Sequence, residues 1–525
     1  MTSDVVVIGA GLNGLVAAGY LARAGRRVIV LERRAVAGGS HVTTEFAPGF
    51  RCNEALDDAG WIPPRIVREL DLAAHGLRLV SPGNRILAAA GDGAWLSLRG
   101  SLADTFEPLR KFSHADSVAW RPFAERLRTM AAFLEKVYAQ EAPNVDSSSV
   151  TDLLGLLRAG LGLRRMGKAA TVDLLRTAPM SVGELLDDTF ESDVLKGALA
   201  AEGVRHLFQG PRSGGTSFVL LHHQVGRPAG VFWPDQVPAG GVGALADALV
   251  ASVRAADGEV RLNAAVARIT MRDGVATGVV LDSGEEIVAR QVVSSADPRT
   301  TMLSLADPSQ LAPELVRSVR NIKFKGAWAK VNLALDSLPL FVGVSAEELR
   351  EAAIIRISPS VNHVERAYDN AKYGRVSSEP WLDVRIPSLR DATFAPVGKH
   401  VMSVHVQFAP YQLRDGGWTD AARTALGNTV LATLESHAPG LSGLVRHQQV
   451  LTPLDLERSF ALPEGSAYHG EMTLDQILFM RPIPQFSRHS TPVPGLFICS
   501  SGSHPGGGIA GGAGIQAARR MLSGT

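Results

Sequence analysis

The 525-residue chain has only two cysteines, Cys52 and Cys499, and they form no C-x-x-C pair, so a dithiol–disulfide redox centre is not expected. Cys499 sits in the apolar run GLFICSSG and reads as a core residue. Charge of one sign is also missing. The 53 basic and 52 acidic residues leave a net charge of +1, which offers nucleic acid no overall attraction. No stretch reaches the roughly 18 consecutive apolar residues of a membrane-crossing helix. The first strand opens by residue 4, leaving no room for a secretory signal, and a cytoplasmic location is expected. Metal chemistry lacks its usual spacings: there is no H-E-x-x-H and no Cys/His cluster, so no metal site is expected. No G-x-S-x-G stands in a strand–turn–helix setting. No clear repeat or low-complexity segment appears, and the length points to two or three folded units.

What the chain has is glycine, 53 residues of it. The apolar run DVVVI at 4–8 is followed by Gly9-Ala10-Gly11-Leu12-Asn13-Gly14, a G-x-G-x-x-G pattern. Residues 15–24 read as a helix, 27–31 (RVIVL) as a second buried strand, and Glu32 stands at its end. This order is the fingerprint of a dinucleotide-binding βαβ unit. Gly9 permits the tight turn, Gly11 lets the backbone approach a pyrophosphate, and Gly14 lets helix and strand pack closely. The helix N-terminus offers free N–H groups to phosphate, with Asn13 among its first residues. Glu32 is placed to accept hydrogen bonds from ribose hydroxyls. An acid there disfavours a 2′-phosphate, which points to FAD or NAD rather than NADP. A Gly38-Gly39-Ser40 segment follows, where the chain can lie flat along an extended ligand. Arg33 reads either as a phosphate partner or as a solvated arginine.

These motifs resemble the FAD-binding unit of the phytoene desaturase and carotenoid isomerase type of flavoprotein. That group is a branch of the larger family containing the amine oxidases, and the subgroup it looks most similar to is the pyridine nucleotide-disulfide oxidoreductase domain-containing protein 2 type. The resemblance is densest in residues 1–60, 230–300 and 465–525. It implies an α/β fold: a Rossmann-like FAD-binding domain, with a substrate domain of mixed sheet and helices inserted into it. The expected division is 1–75, 230–300 and 485–525 for the FAD domain, and 76–229 and 301–484 for the substrate domain. By the same resemblance Val266 contacts adenine through its backbone, and a strand ends at Ser294-Ser295-Ala296-Asp297-Pro298.

Between these regions the pattern is coarser. Residues 60–230 read as mostly helical, and 105–138 carries Phe123, Leu127, Met130 and Phe133 at helical spacing. Residues 150–176 are amphipathic and basic. They suit either an anionic membrane surface or, the favoured reading, a face packed on its own domain with solvated charges. Ser181 and Ser345 each begin a capping-box pattern. Residues 328–335, 381–386 and 400–408 read as strands and 421–436 as a helix.

The last segment holds a second glycine-rich turn, Gly502-Ser503-His504-Pro505-Gly506-Gly507-Gly508-Ile509, between a strand at 496–499 and a helix at 515–522. In the resembled family this unit approaches the flavin ring, its helix N-terminus near the pyrimidine edge. That makes Gly502, Gly508 and Ile509 cofactor-contact candidates. The acid that many flavoproteins place after the terminal strand is absent: the region reads Ser500-Ser501-Gly502-Ser503. His504, His469 and Arg481 are the polar residues expected nearest the ring; each has a structural alternative. The implied activity is FAD-dependent removal of a hydride from a C–C or C–N single bond of a largely apolar substrate. A reduced-flavin polyene isomerase, an amine oxidase and a non-catalytic flavin-bound scaffold remain alternatives. Peripheral membrane contact and homo-oligomerisation are left as open expectations.

Overall fold

The computed structural model describes residues 3–142, 157 and 160–524. Strand Ser3–Ile8, helix Leu12–Arg23 and strand Val28–Leu31 follow the expected order. Val5, Val6 and Val7 are all buried because this strand lies inside a parallel sheet covered on both faces. Its neighbours are Val28–Leu31 on one side and Glu286–Ser294 on the other; Glu259–Arg261 and Leu496–Ile498 extend the parallel set outward. The first half of Glu286–Ser294 turns instead into an antiparallel meander with Val275–Leu281 and Val266–Arg272. Helices Leu12–Arg23, Gly243–Ala255 and Gly512–Ser523 pack on one face around Leu15, Val16, Leu249 and Ala517. The opposite face is closed by the meander, Met302, Leu315 and Phe324.

Two glycines set the packing. A Cβ on Gly14 would lie 2.2 Å from the Gly9 carbonyl oxygen, and one on Gly514 would lie 2.2 Å from that of Asn13. Close approach of the first helix to the glycine turn, and of the last helix to the first, needs both positions bare.

The second sheet runs in the order Val445–Leu451, Trp328–Leu335, His400–Gln407, Leu382–Arg385, Ala352–Ile357, Arg85–Ala89, Trp95–Arg99. Neighbours are antiparallel except Ala352–Ile357 with Arg85–Ala89, which are parallel. The described residues of 60–230 are mostly helical, as read, with the strands Arg85–Ala89 and Trp95–Arg99 standing among the helices. The segment RILAA is buried throughout, so it shows no alternation to mark it as a strand. Helix Asp420–His437 covers one face of this sheet through Leu426, Val430 and Leu434. Helices Asp193–Val204 and Thr216–His223 lie in the large core on the other side, with Trp328, Trp381 and Phe408.

The helical stretch at 105–138 is two helices, Leu102–Arg110 and His114–Tyr138, the second capped by Ser113. Both capping boxes form, at Ser181 and Ser345. Of the basic stretch at 150–176, residues 150–156, 158 and 159 lie outside the described residues; residues 160–166 are helical, and helix Lys168–Thr177 follows. Among the described residues no helix is long and apolar enough to cross a membrane. The architecture is thus α/β, a Rossmann-like unit with a mixed sheet and helices inserted into it.

Candidate functional site

At the carboxyl ends of Ser3–Ile8 and Val28–Leu31 lies a cavity of about 1270 Å³, counted with its open mouth. This is where an open parallel sheet accepts a ligand, because helix N-termini and bare turns meet there. Gly9 has φ +88°, which glycine alone adopts cheaply. Gly11 faces the cavity, and a Cβ there would touch only the Ser295 side chain, at 3.5 Å, so its bareness leaves room for a ligand. The first helix has no side-chain cap, and its N-terminus opens on the cavity. Asn13 Oδ1 is buried without a partner, while its Nδ2 donates to Ser501 Oγ at 3.3 Å. Gly38 pairs with Gly11 in a short bridge, and Gly39, at φ +61°, lies with Ser40 along the same wall.

Glu32 is buried, and both carboxylate oxygens are held by backbone: Oε2 accepts from Ala10 N–H at 2.9 Å and Oε1 from Arg34 N–H at 3.0 Å. Each oxygen keeps a lone pair for a ribose hydroxyl. Arg33 lines the cavity but donates to the Arg458 carbonyl at 3.3 Å. Its neighbour Arg34 also lines it, stacked 4.8 Å from the Phe460 ring. Val266 stands on the wall beside Ala265. Gly508 and Ile509 form the far wall, zipped to Gly60 and Trp61. The last helix also lacks a side-chain cap, and Gly511 before it lines the cavity, so two helix N-termini converge.

A second chamber, about 620 Å³ including its open part, shares His41, Ala59, Ala467, Ser501 and Gly508 with the first. Its walls are polar. Asp58 takes Arg385 at 2.6 Å and Arg205 at 3.5 Å. Burial alone would raise the Asp58 carboxyl, but Arg385, Arg205 and Arg227 outweigh it and hold it far below the usual range. Asp57 pairs with the buried Lys330 at 2.5 Å. Tyr138 and Tyr468 meet two adjacent histidines. His222 Nε2 faces the Gly507 carbonyl at 2.7 Å and Nδ1 faces Tyr138 Oη at 2.9 Å. A carbonyl only accepts, so Nε2 carries the proton and the Tyr138 hydroxyl donates to Nδ1. By the same argument His223 donates from Nδ1 to the Glu202 carbonyl and accepts from Tyr468. Burial pulls His222 down to about 3 and His223 to about 4, which keeps both neutral.

The three residues expected nearest the ring separate. His469 lines the first cavity, with Nδ1 unpartnered; burial lowers its pKa, Asp297 opposes and Arg481 adds. Arg481 does not reach either cavity. Its donors are spent on the carbonyls of Tyr468, Gly470, Glu471, Gln476 and Ser501. The expectation that it sits against the ring is therefore corrected: it fixes the 468–481 loop from behind. His504 is corrected in the same way. It is fully buried, lines neither space, and meets Tyr138 edge-on at 5.8 Å. Gly502 also lies behind the wall, where a Cβ would fall 2.5 Å from the His469 carbonyl oxygen.

Sequence reasoning missed His41 of the first cavity and the whole second chamber, while Ser295 and Ser501 stood within quoted segments without being singled out. The signal available was polarity inside apolar runs, as in Leu220-Leu221-His222-His223-Gln224-Val225. No group of residues fit to hold a metal occurs among the described residues.

Fold and cavity together define a dinucleotide-binding oxidoreductase whose cavity is lined by the Rossmann-like unit and by residues of the inserted sheet and helices. The family model for flavin containing amine oxidoreductase matches residues 12–522, and the chain belongs to that family. It is 35% identical to pyridine nucleotide-disulfide oxidoreductase domain-containing protein 2 of Rattus norvegicus, over 98% of this chain and 92% of that one. It is 26% identical to a neurosporene-forming phytoene desaturase of Cereibacter sphaeroides, over 96% and 92%. Cyclohexylamine oxidase from Brevibacterium oxydans shares the fold with a TM-score of 0.62 at 14% identity, over 100% of this chain and 98% of that one. The cofactor is FAD, and the residues present fit it: a bare Gly11, the unpartnered Asn13 Oδ1, and Glu32 with free lone pairs.

Proposed function

We propose that this chain is an FAD-dependent dehydrogenase that removes a hydride and a proton from a C–C or C–N single bond. The observation that carries the reading is the wall common to the FAD cavity and the second chamber, to which His41, Ala59, Ala467, Ser501 and Gly508 belong. A substrate in the chamber would lie against the wall that also bounds the cofactor cavity. FAD, when bound, supplies the hydride acceptor. The chain's own residues do the rest. Glu32 holds ribose hydroxyls, the first helix N-terminus holds phosphate, and the last helix N-terminus favours negative charge where the ring gains it. His469 is the imidazole at the cavity wall with a free nitrogen, placed to take a proton at Nδ1. The phytoene desaturase relative supports C–H chemistry by its name, and the amine oxidase neighbour supports the fold alone.

The test is the visible spectrum of the purified protein, followed by anaerobic addition of polyene, polyamine and cyclic-amine compounds. Bleaching of the flavin band by one class supports a dehydrogenase of that class. A flavin reduced by none of these, nor by any carboxylate-bearing compound, moves the reading to a reduced-flavin isomerase or a scaffold. A colourless protein that takes up no FAD overturns it.

A further inference from the structure

The second chamber is lined by Asp57, Asp58, Arg205 and Arg227, and the buried ion-pair network that extends behind this lining holds more positive charge than negative. Lys330, Arg205, Arg227, Arg356 and Arg385 are buried with only four carboxylates, Asp57, Asp58, Glu202 and Asp383. A proton passed between Lys330 and Asp57 leaves that sum unchanged. Arg356 is fully engaged, bridging Asp383 and Glu202 at 2.6 Å each. Arg385 is engaged by Asp58. The surplus therefore falls on the other two guanidinium groups. Arg227 is 6% exposed and lines the chamber. Its nearest carboxylate oxygen, Glu202 Oε2, is 3.6 Å away, beyond hydrogen-bond reach, and its Nη1 is buried without a partner. Arg205 reaches Asp58 only at 3.5 Å, and its Nε also lacks a partner. The neighbouring histidines add no charge, since burial keeps His206, His222, His223 and His405 neutral.

A buried guanidinium with vacant donors is costly unless an acceptor arrives, and the planar fork of arginine matches a carboxylate. An alkene would leave the surplus uncovered, and an aliphatic ammonium would add to it. We propose that Arg227, with Arg205 beside it, holds the carboxylate of a small anionic substrate, with the rest of that molecule directed toward the wall shared with the FAD cavity. This deepens the reading above and rests on it: the chamber matters to catalysis only if the first cavity holds the flavin.

The test uses the FAD-loaded protein and the perturbation of its visible band. Acetate and benzoate are titrated against their uncharged twins, acetamide and benzamide, and against inorganic phosphate. The expected result is saturable perturbation by at least one carboxylate and none by its amide. In Arg227→Met the carboxylate affinity should fall about tenfold or more, and Arg227→Lys should keep part of it. If Arg227→Met fails to fold, Arg227→Lys and Arg205→Lys supply the comparison, each expected to weaken the carboxylate and not FAD retention. Equal response to the amides, no response to any carboxylate, or unchanged affinity in the variants overturns the proposal and assigns the surplus charge to the cofactor. Response to phosphate alone replaces the carboxylate with a phosphate group. A protein that takes up no FAD overturns the cofactor reading as well, and that failure is visible before any anion is added.

Discussion

At the scale of single residues, the site depends as much on what is missing as on what is present. Gly11 meets no protein atom that would forbid a side chain, so its bareness serves the ligand rather than the fold. Gly11→Val should therefore fold and lose its flavin, read as protein-to-flavin absorbance; full flavin content in that variant would remove Gly11 from the site. Glu471 is the opposite case, a polar group put where it is poorly served. Its carboxyl is buried, Oε1 has no partner, and burial raises its pKa to about 7, against the pull of Lys325 and Lys323. Glu464 and Asp475 push in the same direction as burial. The folded state thus holds a proton that the unfolded chain, at its ordinary 4.5, has released. Stability from this group is complete below about pH 4.5 and is lost as pH rises toward 7. Glu471→Gln should remove that loss, so its stability advantage over wild type should grow between pH 5 and 8, reaching at most about 3 kcal/mol. Melting curves at both pH values check this; equal differences would show that Glu471 is solvated.

At the scale of elements, Gly514 marks the contact between the last helix and the first. Gly514→Leu should force the two apart, cost roughly 1–3 kcal/mol, and weaken FAD binding because both N-termini border the cavity. Thermal melts with flavin titration measure both effects. Helix Lys168–Thr177 bears on the open question of membrane contact. It leaves Val172 and Leu175 exposed, 56% and 66%, beside Lys168 and Arg176. If this face rests on an anionic bilayer, the protein will sediment with phosphatidylserine-rich vesicles and Leu175→Glu will release it; no sedimentation at low salt leaves the face solvated. The elements also show what could be read from sequence. The unit from Ser3 to Leu31 was legible because turn, helix, strand and acid stand within one short stretch and each obeys a local rule. The chamber was not. Asp58, Arg205, Arg227, Arg385 and Tyr468 come from five separate places, and only long-range packing makes them neighbours. Arg481 was misplaced for the same reason: sequence shows a charge, while the five carbonyls that surround it depend on how the loop closes.

At the scale of the whole molecule, the cofactor cavity is bordered by the glycine turn, the meander, the inserted domain at Phe460–Leu462 and the final glycine-rich turn. A ligand held by all four should tie the two sheets together. Adding FAD to cofactor-stripped protein should raise the melting temperature in a concentration-dependent way, by an amount equivalent to about 2.7 kcal/mol at a hundredfold excess over Kd. A single transition with FAD that splits in two without it would locate the coupling at this border; no shift would mean the cavity contributes nothing to cohesion.

The parallel sheet has a further consequence for how the protein is made. Its central strand, Ser3–Ile8, precedes by nearly five hundred residues the strand Leu496–Ile498 and the helix Gly512–Ser523 that complete the cavity. At ribosomal speeds of roughly 5–20 residues per second, the early half of the sheet waits on the order of half a minute or more for its partner. Through that interval the nascent chain has a phosphate turn but no closed pocket, and the apolar face of the first helix has no last helix against it. Cofactor capture is thereby tied to the emergence of the helix Gly512–Ser523, and the chain before that point presents a surface that a chaperone would recognise.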